Sequence, residues 1–481
     1  MLTLKHKVLN GVKWNFVDSV VGQGFQFIIG ILLARILSPK EFGLIGILAI
    51  FISISQSFVE SGFGSALIRK KVCLPKDFST VFIYNIFVSF VLYIILFFIS
   101  TYISNFFLES KLSDLIKILG LGIIINAFSI IPRTILIKNV DFKTQAKISF
   151  ISSIFSGFIS ILMALNGFGI WSLVALNLFK NISNTFLLWF SVKWEFSLYF
   201  SRESFFDLFS FGGKLFISGL LNSLFENFSY IIIGKYFSVF QLGQYTRAEQ
   251  FNNIPSQSLS SIISKVSYPI LVTLQDDKIA LKKAYRIFIK KTMFLTFLLM
   301  LLLSVISYPL IVVLIGQKWA LAAEYLQILC FVGMMYPLHS INLNLLKVVG
   351  RSDLFLKLEI IKKFLLIPTL FFGYYFGVKI LIIITLINSF FAYFINSYWS
   401  GKFINYSIKD QCIDILPSMF FASIIACIVY FISQLLTFDY FYIISIQLIS
   451  AISLIVILGE LLSFNEYIEF KKLFLLFFKK N

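Results

Sequence analysis

The chain has 481 residues, 59% of them apolar and 13% charged, with a formal net charge of +18. Its mean hydropathy of +0.91 excludes an ordinary soluble globule, and no basic–aromatic module stands outside the apolar runs to bind nucleic acid. Four cysteines without paired spacing (Cys73, Cys330, Cys412, Cys427) and two histidines (His6, His339) give neither a disulfide framework nor a metal centre.

A helix needs roughly 20 mostly apolar residues to cross a hydrocarbon core about 30 Å thick, and the chain offers about fourteen such runs. In order they cover residues 11–34, 42–62, 79–101, 114–136, 146–166, 169–191, 212–236, 247–271, 286–310, 321–345, 355–376, 379–400, 413–434 and 438–462. The expected fold class is an all-α polytopic membrane protein of about fourteen transmembrane helices. The first run follows Lys5, Lys7 and Lys13 but contains Asp18, Gln23 and Gln26. It lacks a small-residue cleavage site, so it reads as a retained helix and not as a signal peptide. The eighth run is rich in Ser, Asn and Gln and makes sense only against other helices or a water-filled cavity.

Lys and Arg crowd every second connection. Arg69, Lys70, Lys71 and Lys76 form one group, and Arg133, Lys138, Lys143 and Lys147 the next. Lys193, Arg202 and Lys214 follow, then Lys265, Lys278, Lys282, Lys283, Arg286, Lys290 and Lys291, then Lys347, Arg351, Lys357, Lys362 and Lys363. The intervening side is thin, with Lys111 and Lys117, Lys318, Lys379, and Arg35, Lys40, Lys235 and Arg247 at or near it. The positive-inside rule places both termini in the cytoplasm, the C-terminal one with Lys471, Lys472, Lys479 and Lys480. The eighth run is retained because without it the next basic cluster falls on the wrong side. Topology and anionic lipid headgroups account for the net charge, so membrane lipids, not nucleic acid, are the expected partners.

Two hundred residues apart, the chain partly overlays itself. Ala34-Arg35-Ile36-Leu37-Ser38-Pro39-Lys40-Glu41-Phe42-Gly43 falls against Gly234-Lys235-Tyr236-Phe237-Ser238-Val239-Phe240-Gln241-Leu242-Gly243. In both copies a basic residue ends a span, a Ser follows three residues on and a Gly eight on. The copies end spans one and seven, so the repeat is of the parallel kind, two six-helix lobes of the same orientation. The expected organisation is an N-terminal lobe at 1–191, a cytoplasmic linker at 192–211 with room for an interfacial amphipathic helix, and a C-terminal lobe at 212–400. Two further spans at 401–464 and a basic tail at 465–481 complete it. Alternating access with a path between the lobes is the default for that architecture.

Polar groups inside spans are costly and tend to line pathways. Asp18 shares a face with Gln26 in span one; it is either an ion-coupling carboxylate or a helix–helix hydrogen bond. Lys180 in span six lies on one stripe with Asn177, Asn181 and Asn184, lining a cavity or snorkelling to an interface. Glu226 in span seven, one turn from Asn222, is a second ion-coupling candidate, with a structural hydrogen bond as the alternative. Arg35, Lys235 and Arg247 stand at the sparsely charged side, either to bind an anion or to pair with Glu41 and Glu249. His339, Asn342 and Lys347 in span ten are weaker candidates. Nucleotide and hydrolase motifs are missing, with no GxxxxGK[ST], GxSxG or HExxH. External connections are short, which argues against a membrane glycosyltransferase or polymerase.

The N-terminal stretch, from Gly11-Val12-Lys13-Trp14 through the Ala34–Gly43 segment to Glu60-Ser61-Gly62-Phe63-Gly64-Ser65-Ala66-Leu67-Ile68, resembles the polysaccharide transporter family. These are O-antigen and capsule flippases of the Wzx type, within the larger group that holds multidrug exporters and the lipid II flippase. Ile233-Gly234-Lys235 with Leu242-Gly243-Gln244-Tyr245-Thr246-Arg247-Ala248, Gly316-Gln317-Lys318-Trp319 and Gly350-Arg351-Ser352-Asp353 extend the resemblance over most of the first twelve spans. It implies export of an undecaprenyl-pyrophosphate-linked oligosaccharide across a bacterial inner membrane, with no cofactor and with proton or sodium coupling. Arg35, Lys180, Lys235 or Arg247 would then meet the pyrophosphate, and a polysaccharide polymerase and chain-length regulator would be partners. Many members of the family carry an Asp shortly before Ile233-Gly234-Lys235 where this chain has Ser229, so either Glu226 substitutes for it or that role is lost. A cation-coupled multidrug or small-molecule antiporter and a lipid scramblase stay open as alternatives.

Overall fold

Every apolar run within the residues described by the structure, a computed structural model covering 22–194 and 197–478, coincides with helix, and no strand occurs among them. In order the helices are α1 Gln23–Ile36, α2 Pro39–Glu60, α3 Phe63–Arg69, α4 Pro75–Phe107, α5 Lys111–Lys138, α6 Phe142–Leu165, α7 Trp171–Ser191, α8 Arg202–Ile232 and α9 Val239–Thr273. They continue with α10 Lys278–Ile315, α11 Ala320–Gly333, α12 Tyr336–Val348, α13 Ser352–Phe364, α14 Leu366–Phe376, α15 Val378–Ile404, α16 Ile408–Gln434, α17 Tyr440–Leu461 and α18 Asn465–Phe478. The chain is an all-α, multi-pass membrane protein.

Ten helical stretches among the described residues are long and apolar enough to cross a membrane, fewer than the expected fourteen. The difference has chemical causes. The first run is described only from Gln23 onward as α1. Helix α7 carries Asn177, Lys180, Asn181 and Asn184; α9 is rich in Ser, Asn and Gln; α13 carries Asp353, Lys357, Glu359, Lys362 and Lys363. Run eleven is broken at Leu365; run ten is broken at Met334–Met335 as well, yet its stretch Gln317–Val348 still counts among the ten. Pro337 has no N–H for the carbonyl of Gly333, and Pro368 has none for that of Phe364, so each proline frees a carbonyl at the break.

Of the segment expected to link the lobes, residues 202–211 are helical, as the first turns of α8. Residues 192–194 and 197–201 are non-helical, and α8 starts at Arg202 with the Ser201 hydroxyl accepting from the Ser204 N–H at 3.2 Å. The Ser201 N–H donates to Thr80 Oγ1 at 3.0 Å, which straps this segment onto α4.

The helices invert the polarity of soluble ones. Helix α4 buries Asn85, Ser89 and Ser100 and exposes Phe87, Phe90, Ile94, Phe98 and Tyr102. Exposed apolar residues at steps of three and four give a stripe suited to lipid, while small polar residues let helices approach inside. Helix α6 does the same with Ser152, Ser156, Ser160 and Ala164, all buried, against α7 and α1. A methyl group on its Gly157 would lie 2.2 Å from Ile29 Cδ1 of α1, so a larger residue there would require the Ile29 side chain to move.

The chain forms two compact units, Met1–Gly243 and Gln244–Asn481. In the first, α3 is the core's centre: Phe63, Ala66 and Leu67 pack with Val81 and Phe82 of α4, Ile131 of α5 and Leu208 of α8. In the second, α10 is the central helix, packed by α11, α16 and α17.

Candidate functional site

The repeated segments meet within the first unit, and their geometry explains their shared residues. Ser38 precedes α2, where the Glu41 carboxylate accepts from its N–H at 2.7 Å and its hydroxyl at 2.9 Å. Ser238 precedes α9 and its hydroxyl accepts from the Gln241 N–H at 3.1 Å. Both serines thus stand where a helix needs a cap. The two helix starts then touch reciprocally. A Cβ on Gly43 would lie 1.8 Å from the Val239 carbonyl oxygen, and one on Gly243 would lie 1.8 Å from that of Pro39. Val239 and Gly243 are the repeat counterparts of Pro39 and Gly43, so each segment offers the other the same two positions. That is the signature of a local two-fold contact.

Beside this contact, Lys235 donates to the Phe106 carbonyl oxygen and lies 4.5 Å from the centre of the Phe106 ring. Lys40 pairs with Glu109 at 2.7 Å. Arg35 is exposed at the end of α1.

Deeper in the first unit, the stripe on α7 faces two helices. Lys180 is half-buried and donates to Gln26 Oε1 of α1 at 2.8 Å. Thr185 donates to the Ile125 carbonyl of α5 at 3.1 Å, and the Asn181 amide lies against Gly122 of the same helix. Asn177 turns to its own helix, donating to the Leu173 carbonyl at 2.9 Å, while Asn184 is half-buried. A second polar seam joins α2 to α8: Asn227 donates to Ser53 Oγ at 3.0 Å, and the Ser57 and Ser223 hydroxyls lie 2.8 Å apart. Glu226 and Asn222 are exposed on α8 beside this seam. Asp18 lies outside the described residues.

In the second unit Arg247 is half-buried on α9. Three polar clusters in this unit join residues far apart in the sequence. Gln244, fully buried, donates to the Lys318 carbonyl at 2.7 Å and accepts from the Ala322 N–H at 2.9 Å. It thereby ties the segment Leu242–Ala248 to Gly316–Trp319, two of the motifs that carry the resemblance. Asp414, with only 4% of its side chain exposed, accepts from Arg286 at 2.6 and 2.8 Å, from Tyr406 at 2.6 Å and from Lys290 at 3.1 Å. Arg286 and Lys290 stand four apart on α10, which the sequence displays; their acid, more than a hundred residues on, it does not. Finally, Tyr285 and Ser400 both donate to Asn342 Oδ1 in the interior. At the surface, bidentate hydrogen bonds from the Arg351 guanidinium hold the Asp353 carboxyl down at about 2.

A family model described as "Polysaccharide biosynthesis protein" matches residues 32–324. The lipopolysaccharide biosynthesis protein WzxC of Escherichia coli (strain K12) is 25% identical over 407 residues, 82% of each chain. The teichuronic acid biosynthesis protein TuaB of Bacillus subtilis (strain 168) is 25% identical over 357 residues, 74% of each chain. Among solved structures, the lipid II flippase MurJ in an inward closed conformation is similar with a TM-score of 0.75 at 17% identity, covering 94% of this chain and 99% of that one. At that identity the similarity speaks for the fold.

Proposed function

This chain belongs to the family described as polysaccharide biosynthesis proteins, and from that premise we propose that it is a flippase. Its substrate is an oligosaccharide carried on undecaprenyl pyrophosphate, moved across a bacterial inner membrane with both termini of the protein in the cytoplasm. It acts as a transporter and catalyses no covalent step.

The observation that carries this reading is the polar stripe of α7 with its one lysine. A lysine held by a glutamine from α1 gives a cationic, hydrogen-bonding surface at membrane depth. The serine and asparagine seam between α2 and α8 adds further donors and acceptors. Sugar hydroxyls and a pyrophosphate need such a lining, while the polyprenyl tail stays in lipid. Lys180, Arg35 or Lys235 of the first unit, or else Arg247 of the second, is the cation expected to meet the anionic headgroup. Asn177, Asn181 and Asn184 suit the sugars. Release is as important as capture, so a single partly hydrated cation is better suited than a dense cluster. Transport without ATP requires an ion whose binding differs between the inward-open and outward-open states. Asp18 and Glu226 are the carboxylates available for that role. A polymerase and a chain-length regulator would take over the exported unit.

The test is genetic and chemical. A strain lacking the gene should lose surface glycan and accumulate undecaprenyl-pyrophosphate oligosaccharide, and the wild-type gene should reverse both. Unchanged glycan and unchanged lipid intermediates would overturn the reading and direct attention to a drug antiporter.

A further inference from the structure

A histidine stands in the interior of the second unit, one turn beyond the break that separates α11 from α12. Its Nε2 lies 3.0 Å from the Ser389 hydroxyl of α15, and the Asn396 amide nitrogen of the same helix lies 3.3 Å from its Nδ1. An amide N–H can only donate, so Nδ1 accepts and the ring carries its proton on Nε2. His339 is therefore a neutral ring with both nitrogens engaged. The opposite end of the same amide is a different matter. Asn396 is fully buried, yet its Oδ1 accepts no hydrogen bond. A buried acceptor left without a donor calls for an explanation.

We propose that His339 is a proton-binding site inside the membrane, and that the Asn396 amide reverses when the proton arrives. The proton adds to Nδ1 and turns it from an acceptor into a donor. A half-turn of the amide then brings Oδ1 to Nδ1–H and supplies the donor that Oδ1 lacks. The Nε2–H bond to Ser389 persists. One N–H bond forms, one positive charge enters, and no other bond changes.

The charged groups around the ring are themselves paired. Lys362 of α13 faces it electrostatically and is bonded to Glu359. From α10 the nearby titratable group is Tyr285, committed to Asn342, while Arg286 and Lys290 are held by Asp414. From α15 it is Tyr393, 3.8 Å from Cys412 Sγ, with Lys379 at that helix's start paired to Glu324 and Lys402 near its end over Trp399. From α9, Ser264 reaches Ser340 at 2.6 Å. Asn396 and Ser389 lie on α15 and His339 on α12, so the ring and its amide bridge that helix pair. A broken helix at membrane depth is also where transporters place coupling sites. The inference goes beyond the flippase reading, since it concerns what drives the protein and not what it carries.

The chain has only two histidines, His6 and His339. Full-length protein bearing His6→Asn, labelled with imidazole-15N histidine and held in lipid nanodiscs, therefore reports one ring. Should that substitution disturb the protein, the wild-type spectrum minus that of His339→Gln isolates the same signal. At about pH 9 the spectrum should be that of the Nε2–H tautomer, and toward about pH 5 it should convert to imidazolium. Asn396→Asp should allow the imidazolium to form at a proton concentration about tenfold lower, and Asn396→Leu should not. A ring neutral at every pH, an Nδ1–H tautomer at alkaline pH, or one titration curve shared by Asn396→Asp and Asn396→Leu would overturn the proposal. The measurement uses no substrate, so its outcome is independent of whether the flippase reading holds.

Discussion

Adding one methyl group to either repeat glycine should force the starts of α2 and α9 apart. The Cβ of Gly43→Ala or Gly243→Ala would sit 1.8 Å from a main-chain carbonyl oxygen. A carbon tolerates an oxygen at about 3.3 Å, so each variant requires roughly 1.5 Å of separation. The obstacle is backbone at the first turn of a helix and cannot rotate away as a side chain would. Overpacking of this kind costs about 1–3 kcal/mol. The reciprocity makes a sharper prediction. Once one alanine has parted the pair, the second meets less resistance, so the double variant should lose clearly less than the sum of the singles. Gly219→Ala in the middle of α8 is the control. Nothing lies within 4 Å of its Cβ, so it should be neutral or stabilise by about 0.5–1 kcal/mol. The assay is thermal melting of the four variants in lipid nanodiscs, followed by tryptophan fluorescence. Additive losses at Gly43 and Gly243, or losses no larger than at Gly219, would refute the reciprocal contact.

Other sites give independent checks. Asp414→Asn leaves two cations and a tyrosine around a neutral amide and should cost about 3 kcal/mol, toward the lower end for a broken buried ion pair because Arg286 and Lys290 are part-exposed; melting of Asp414→Leu with Arg286→Leu should recover part of that loss. Gln244→Leu strands the Ala322 N–H and the Lys318 carbonyl and should cost about 1–3 kcal/mol by denaturation. Lys180→Met should lower glycan export in a complemented deletion strain about tenfold or more without lowering the amount of protein in the membrane, whereas Lys180→Arg should export normally. Full export by Lys180→Met would remove Lys180 from the substrate path.

The helical, membrane-spanning character was legible because bilayer thickness imposes a length that apolar runs reveal directly. The repeat was legible too, but not its reason. The sequence aligns Ser38 with Ser238 and Gly43 with Gly243; only the fold shows that the serines start helices and the glycines touch across the pair. The breaks at Met334–Met335 and Leu365 went unread because a proline within an apolar run does not by itself say whether the helix bends or stops. At the candidate site, the stripe on α7 followed from spacing, whereas its partner Gln26 lies more than one hundred and fifty residues away. The Asp414 ion network and the His339 environment depend in the same way on long-range pairing that no local pattern encodes. Lys235 stood out in sequence as a cation, and its engagement with Phe106 appears only in three dimensions.

The central claim is movement of a lipid-linked oligosaccharide, and reconstitution tests it without a cell. Purified protein in liposomes is loaded with undecaprenyl-pyrophosphate oligosaccharide in both leaflets and exposed to a membrane-impermeant glycosidase. The account predicts that the inner-leaflet half becomes digestible when the wild-type protein is present, while a labelled phosphatidylethanolamine in the same vesicles stays protected from an impermeant quencher. Digestion that stops at half with and without protein would contradict the account, and equal exposure of both lipids would show a scramblase instead.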